Sequence, residues 1–368
     1  MGKRELVLII AFFAVGAIIY QITAPAPKPG ERRFSITQVF RGIKQEMRAN
    51  ASSASVKKEA SIALSGSIRE LQVTTPRRVP LTIIGEARND IAYEMPVEST
   101  GPDEPTARTW AEKSDVVADE RGSILALSLK FPEEGTQSAS LTLHVPSKLA
   151  VRVESSEHIQ VSHVAAVELR NPSGETTISE VGTVTGRHSS GDLSVTGADS
   201  VDLTLASSRS KFRGIRHSVS LNARNGECSI AETSAAIDVS VVNVELTVTA
   251  LKGTVKISGE GGQVKIVNAH KLSIDARRME VEVDATPDSD SEITIVTTDE
   301  MLRLTLAPDP SLVLDAATAV GGGIRAGDFQ LEATKDQRDS KLRATLGKGG
   351  ARVLLRNTRG DIVIGQRK

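Results

Sequence analysis

The chain has 368 residues, a formal net charge of −1, an aromatic fraction of only 3% and a single cysteine, Cys228. The balanced charge excludes a global electrostatic attraction to nucleic acid, and one cysteine excludes an internal disulfide. Because aromatic side chains are scarce, the core must be filled mainly by valine, isoleucine and leucine. These residues favour strands.

An apolar segment, residues 6–22, lies near the N-terminus and follows Lys3 and Arg4. As a helix it would span roughly 26 Å, close to the minimum for crossing a bilayer. We therefore predict a signal-anchor, residues 1–23, that forms one transmembrane helix and makes the membrane a partner of the chain. The alternative is a signal peptide cleaved near Ala24-Pro25-Ala26, although a proline follows that site.

The charges that flank this segment and its position in the chain predict opposite orientations in the membrane. Four basic residues follow it closely and two precede it, so the positive-inside rule would keep the rest of the chain in the cytoplasm. A very short N-terminal tail before a hydrophobic run is, however, typical of a signal-anchor that exports the C-terminal part of its chain. We expect a single-pass protein of a bacterial inner or cell membrane, with its C-terminal part extracytoplasmic, in the periplasm or on the cell surface.

Residues 24–59 are predicted to be a proline-containing linker with a short amphipathic helix. The prolines fall in residues 24–30, which should form a stiff, extended spacer. The helix would either lie on the membrane surface or pack on the following domain. Its apolar face consists of Ile36, Val39, Phe40, Ile43 and Met47.

Residues 164–290 carry an apolar repeat in two rows that share the spacings 17, 17, 18, 18, 18 and 17. The first row is Val167, Val184, Val201, Val219, Ile237, Val255 and Leu272. The second row is Ile178, Val195, Phe212, Ile230, Val248, Ile266 and Val283. Most members have an apolar partner two residues away, which is the period of a strand with one buried face. The repeat predicts an all-β fold in which each unit holds two short strands and forms one coil of a single-stranded β-solenoid, or β-helix.

The flanks of the repeat are strand-like but irregular, and with it they define a predicted β-solenoid domain, residues 60–366. We expect the flanks to act as caps, because an open coil edge invites pairing with another chain. Turn-forming clusters separate the strands of the repeat, including Ser189–Asp192, Asn225–Gly226 and Gly259–Gly262. The polar, proline-bearing stretch Glu98–Arg121 is predicted to be a loop.

Several stretches of the chain resemble the bacterial putative-adhesin domain family of unknown function, whose members consist of β-strand repeats. They are Leu141–Pro146 with Leu149–Val153, the unit Ser190–Val195, and the C-terminal runs Gly347–Gly350 and Asn357–Ile362. The resemblance covers residues 60–366. It implies a β-solenoid, often beside a transmembrane helix, with no assigned catalytic residues.

The sequence contains no pattern that predicts catalytic, cofactor-binding or metal-binding residues. The histidines lack metal-ligand spacing, and the acidic run Asp288–Glu292 lacks the glycine and spacing of a calcium loop. The family's usual C-terminal pattern explains Arg359-Gly360-Asp361 better than an integrin-type signal does. Cys228 is interpreted as a small buried hydrophobe. The histidines are His144, His158, His163, His188, His217 and His270.

These features predict a membrane-anchored envelope protein that is not an enzyme, and whose β-solenoid binds or scaffolds an envelope or cell-surface protein or glycan. The alternative is a bactofilin-like polymer-forming scaffold, although the irregular flanks disfavour end-to-end assembly. A β-helical carbohydrate-active enzyme fits less well, because no carboxylates cluster with basic residues and the coil lacks a six-residue apolar period. No aromatic residue lies among the outward positions of the rows, which disfavours stacking with sugars or nucleic acid.

Overall fold

The computed structural model of the chain describes residues 52–76, 78–154, 158–170, 172–251, 253–336 and 338–367. The predicted anchor and the predicted amphipathic helix lie outside these residues. Within the described part, no helix is long and apolar enough to cross a membrane. The described residues divide into a small unit, made of residues 52–55, 98–112 and 133–137, and a large unit that holds the remainder.

The described residues form an all-β fold with one α-helix, α1 (Glu104–Lys113), and one 3-10 turn (Gly327–Phe329). The first strands are β1 (Ser52–Ala63), β2 (Glu70–Thr74), β3 (Leu81–Glu86), β4 (Asp90–Gly101), β5 (Asp115–Arg121), β6 (Ile124–Lys130), β7 (Thr136–Ala139), β8 (Leu141–Pro146), β9 (Ala150–Glu154) and β10 (His158–Ser162). The next are β11 (Ala166–Arg170), β12 (Glu175–Ser179), β13 (Thr183–Thr196), β14 (Ser200–Arg213), β15 (Ser218–Thr233), β16 (Ala236–Leu251), β17 (Thr254–Ala269), β18 (Lys271–Arg277) and β19 (Glu280–Ala285). The last are β20 (Glu292–Thr298), β21 (Leu302–Leu306), β22 (Leu312–Thr318), β23 (Ile324–Arg325), β24 (Thr334–Asp336), β25 (Asp339–Leu346), β26 (Ala351–Asn357) and β27 (Ile362–Gln366).

Both predicted rows are confirmed as columns of residues on hydrogen-bonded parallel strands. In what we call the first stack, Val167 pairs with Val184, and the pairing continues through every predicted member to Leu272. In the second stack, the pairing runs in the same way from Ile178 to Val283. Every member of both rows is at most 3% exposed. These aliphatic columns form the core of the large unit.

We use coil as a short name for one 17- or 18-residue repeat. The prediction of two short strands in each repeat is wrong for the central coils, which hold β14 to β17. β14, β15, β16 and β17 each run without a break from the first stack into the second. The predicted turn Asn225–Gly226 lies inside β15, where Asn225 has a φ of 53°. One left-handed residue is enough to turn the chain, so the residues on both sides keep their parallel hydrogen bonds.

The first stack also contains an inward row that the sequence pattern did not reveal. It lies four residues after the first row and runs through strands β13 to β18. The row escapes a search for apolar periodicity because it includes a histidine and a glycine. Its members are His188, Leu205, Ala223, Val241, Gly259 and Ala276, and all except the glycine are buried.

At both ends of the large unit, the order of strands in the stacks differs from their order in the chain. At the N-terminal end the first stack runs β6–β2–β9–β11, and the second runs β8–β3–β10–β12. At the C-terminal end the orders are β18–β20–β26–β22 and β19–β21–β27–β23. At the N-terminal end, β2 and β3 therefore lie inside the later strands β6 and β8. At the C-terminal end, β26 and β27 lie inside the earlier strands β22 and β23.

Antiparallel strands cover the outermost coils. β5 pairs with β6 and β4 with β8 at the N-terminal end, and β25 pairs with β22 at the C-terminal end. β24 in turn pairs with β25. Six of the seven residues of β5 are exposed, and four are charged. Charged residues on an exposed edge strand disfavour pairing with another chain.

Two predictions about the N-terminal flank are corrected by the structure. The stretch Glu98–Arg121, predicted as a loop, contains α1 and β5. Asp103 begins the helix because its Oδ1 accepts a hydrogen bond from the Thr106 backbone N–H at 2.8 Å, a local capping signal within a polar stretch. β1 begins at Ser52, inside the predicted linker, although none of its side chains is fully buried.

Candidate functional site

The outer surface of the first stack in the central coils is a sheet of small polar side chains, which we call the central polar face. Equivalent residues on successive strands lie about 4.8 Å apart. No aromatic side chain interrupts the face, and its charges are few, with Lys256 Nζ 3.9 Å from an Asp238 carboxylate oxygen. The face consists of Thr183, Thr185, Arg187, Ser200, Asp202, Thr204, Ser218, Ser220, Asn222, Ala236, Asp238, Ser240, Thr254, Lys256 and Ser258.

Toward the N-terminal end the same surface carries a ladder of opposite charges. Arg152 lies between Glu70 at 3.0 Å and Glu168 at 2.7 Å. Arg170 continues the ladder, 2.9 Å from Glu168 and 3.7 Å from Glu154. Burial alone would raise the pKa of Glu168, but its hydrogen bonds to the two guanidinium groups lower that pKa below its usual value. The ladder links the neighbouring strands β2, β9 and β11 through paired side chains.

A corner between the two stacks carries a shallow cavity of about 310 Å³ lined by Gly226, Glu227, Asn243, Val244, Glu245 and Gly262. It exists because glycines flank Val244 in one column. A Cβ on Gly226 would lie 2.2 Å from the carbonyl oxygen of Ser208, so the spacing of the strands requires glycine there. Arg209 bridges Asp192 and Glu227 beside the cavity, at 3.2 Å from each. The exposed carboxylates can accept hydrogen bonds from hydroxyl or ammonium groups.

The structure does not bring the histidines together, and five of them lie on the surface or at corners. His144 Nδ1 is 2.6 Å from Glu86, and this hydrogen bond lowers the pKa of the Glu86 carboxyl. His217 and His270 occupy the predicted turn positions, 3.8 Å and 3.7 Å from carboxylates of Asp199 and Asp288. Among the described residues, no group of three or more His, Cys, Asp or Glu side chains could hold a metal ion.

Asp288 of the acidic run and Cys228 both have structural roles in the fold. Asp288 accepts a hydrogen bond from Ser291 Oγ at 2.7 Å and closes the turn before β20. Cys228 is 3% exposed, as predicted, and burial raises the pKa of its thiol to about 12. A thiol with this pKa is protonated at neutral pH and is a poor nucleophile.

The tripeptide Arg359-Gly360-Asp361 is built into a corner of the fold. Asp361 accepts a hydrogen bond from the Gly323 backbone N–H at 2.8 Å and forms an ion pair with Arg325. Arg359 is paired with Asp299, and Gly360 is buried. Asn357 holds this corner, because its amide donates to Glu300 O at 2.7 Å and accepts from Gly360 N at 2.9 Å. Both charged side chains are therefore already engaged within the chain.

No family model matches the chain, and the comparison with curated proteins found no significant match. Among solved structures, a putative cell adhesion protein from Clostridium sporogenes is 11% identical, with 85% of this chain and 100% of that chain covered and a TM-score of 0.20. Putative adhesins from Parabacteroides merdae and Parabacteroides distasonis are 8% and 11% identical, with 85% of this chain covered and TM-scores of 0.28. The matches cover 96% and 97% of those two chains. Their descriptions name the same class of protein as the family that the sequence resembles, but TM-scores this low do not establish a shared fold.

Proposed function

We propose that this chain is a non-catalytic, membrane-anchored envelope protein, exported across a bacterial membrane, whose β-solenoid binds or scaffolds another envelope component. The solenoid is supported by the central strands, each of which carries one residue of the first row and one of the second. β15, for example, holds both Val219 and Ile230. The chain thus passes from one stack to the other once in every repeat, and parallel pairing places each repeat on the last.

The observation that carries the binding role is the central polar face. Its hydroxyl, amide and carboxylate groups repeat with the strand spacing, and buried columns behind them hold the backbone in place. A rigid array of this kind suits many weak hydrogen bonds to a repeating polymer, such as an envelope glycan. Asp202 and Asp238 are its strongest acceptors because they are charged and exposed.

Binding can be measured with the full chain in lipid nanodiscs against a glycan array and isolated peptidoglycan. Exchanging both aspartates, Asp202→Arg with Asp238→Arg, should weaken binding at least about tenfold, or about 1.4 kcal/mol. The matched control is Lys211→Glu, an exposed charge reversal on the second stack, which should leave binding unchanged. No binding to any probe, or equal losses in both variants, would contradict a binding role for this face.

A polymer-forming scaffold remains the competing function, and the covering strands argue against it. β5 and β25 occupy the edges to which another chain would have to add. Electron microscopy of the full chain in nanodiscs should show single particles, and filaments would refute the proposal.

The proposed export across the membrane has its own test. A phosphatase that is active only outside the cytoplasm, fused after Lys368, should be active, whereas a cytoplasmic reporter at the same position should be active if the orientation is reversed.

A further inference from the structure

His188 is a buried ionisable side chain in a column whose other members carry no polar side chain. It is 0% exposed, and the next member of its column is Leu205. Its Nδ1 lies 2.8 Å from Ser208 Oγ, and its Nε2 forms no hydrogen bond with any described residue. The hydroxyls of Thr176 and Ser210, one coil away on either side, are also buried without a described partner. Three buried polar atoms without a described partner, His188 Nε2 and the hydroxyls of Thr176 and Ser210, therefore lie within the neighbouring strands β12, β13 and β14.

The charged residues around His188 all lie on the outside of the sheet. They are Arg170 on β11, Glu175 on β12, Arg187 and Asp192 on β13, Arg209 on β14 and Arg224 on β15, and each is exposed. Asp192 is already paired with Arg209 at 3.2 Å. Burial lowers the pKa of His188, and Asp192 offsets this effect only in part. No carboxylate of the described residues reaches into the core to compensate an imidazolium there.

We propose that His188 makes the strands β12 to β14 an acid-sensitive segment. The segment is closed while the imidazole is neutral, and it opens when the imidazole takes up a proton. A protonated ring has two N–H donors and no acceptor. Nδ1–H could donate to Ser208, but Nε2–H would have no acceptor among the described residues, and burying an unpaired charge is strongly unfavourable. Local opening lets water reach the ring, so the proton is bound in the open state.

The direction of the pH effect follows from the difference in proton affinity. The folded state binds the proton more weakly than the open state, in which the ring has the ordinary histidine pKa of about 6.5. Stability of this segment is therefore complete above about pH 6.5 and is lost as the pH falls below it. Between pH 7.5 and 5.0 the open population should rise by up to about 30-fold.

Hydrogen exchange of the full chain, read by mass spectrometry and corrected for the intrinsic pH dependence of exchange, tests this proposal. Peptides within residues 183–213 should exchange up to about 30-fold faster at pH 5.0 than at pH 7.5. Peptides within residues 236–266, which contain no histidine, serve as the internal reference and should not change. His188→Leu, which copies Leu205 in the same column, should abolish the acid effect and keep the coil closed.

Two further variants make the result decisive. His188→Gln keeps a polar side chain that does not titrate, so it should also lose the acid effect even if it loosens the coil at both pH values. His217→Asn removes an exposed histidine, 72% exposed at its side chain, and should retain the effect. The proposal is wrong if the unchanged chain shows no local acid effect, or if His188→Leu and His188→Gln keep it.

Discussion

The central coils and the two ends of the large unit bury the same kind of aliphatic column, but they achieve it differently. In the centre, each strand pairs with the next strand along the chain, and the register advances by one repeat. At the ends, the partners are distant in the chain. Leu71 pairs with Val151, and Ile293 pairs with Val353. The centre is therefore specified by a local repeat, whereas the ends depend on contacts that form only after long loops close.

This difference appears in the side chains that each region uses. The central coils depend on volume and close backbone approach, as at Phe212 and Gly226. The ends add partly buried polar networks, such as the Asn357 corner and the Arg152 ladder, whereas the Arg209 bridge of the central coils is exposed. Substitutions in the two regions should therefore differ in size and in their dependence on salt.

The largest effect is expected from a cavity in the centre. Phe212 is the largest fully buried side chain of the large unit, and Phe212→Ala should lower the free energy of unfolding by about 3–5 kcal/mol. Urea unfolding followed by far-ultraviolet circular dichroism measures this loss. Val313→Ala, at a residue 45% exposed on β22, is the control and should stay within about 0.5 kcal/mol of the unchanged chain. A small effect at Phe212 would mean that the central columns are loosely packed.

A steric test of the central register should have the next largest effect. Gly226→Ala places a methyl group 2.2 Å from the Ser208 carbonyl oxygen, so the strands must separate. Overpacking of this kind costs about 1–3 kcal/mol, measured by the same unfolding experiment. Gly66→Ala, where a Cβ would meet nothing within 4 Å, should change stability by less than about 0.5 kcal/mol. Equal effects at both glycines would contradict the close approach of β14 and β15.

The C-terminal end should depend on its corner network. Asn357→Ala removes the bond to Glu300 O and leaves the backbone N–H of buried Gly360 without its acceptor, at a cost of about 1–3 kcal/mol. Thermal unfolding and protease sensitivity of residues 351–367 measure this effect. Thr358→Ala, at an exposed neighbour, is the matched control. A stable Asn357→Ala protein would show that β26 and β27 hold the end coil without the corner.

The smallest effect is expected from the charge ladder at the N-terminal end. Arg152 bridges two carboxylates but its side chain is 20% exposed, so Arg152→Ala should cost about 1 kcal/mol at low salt. The cost should shrink as salt is raised, because screening weakens the pairs in the unchanged chain. Arg187→Ala, at an exposed arginine of β13, provides the comparison and should show no such dependence. A salt-independent loss at Arg152 would point to packing of its aliphatic stem instead.

The repeat could be predicted because it is local and redundant. Val201, Val219 and Ile237 occupy the same position of successive coils, so each confirms the register of the others. His188 and Gly259 could not be placed inside by the same reasoning, because their side chains do not contribute to an apolar period. The helix in Glu98–Arg121 was missed because its apolar face rests on only two buried alanines, Ala107 and Ala111.

The sequence by itself determined the period, the two columns and the burial of Cys228, because a strand of alternating residues that recurs every 17 or 18 positions has one favourable way to stack. Only the tertiary structure decided the order of coils at the two ends and the engagement of Arg359 and Asp361 in a corner. These features depend on which distant strands pair with each other. That choice is set by loop closure and by the fit between whole coils, and no local pattern encodes it.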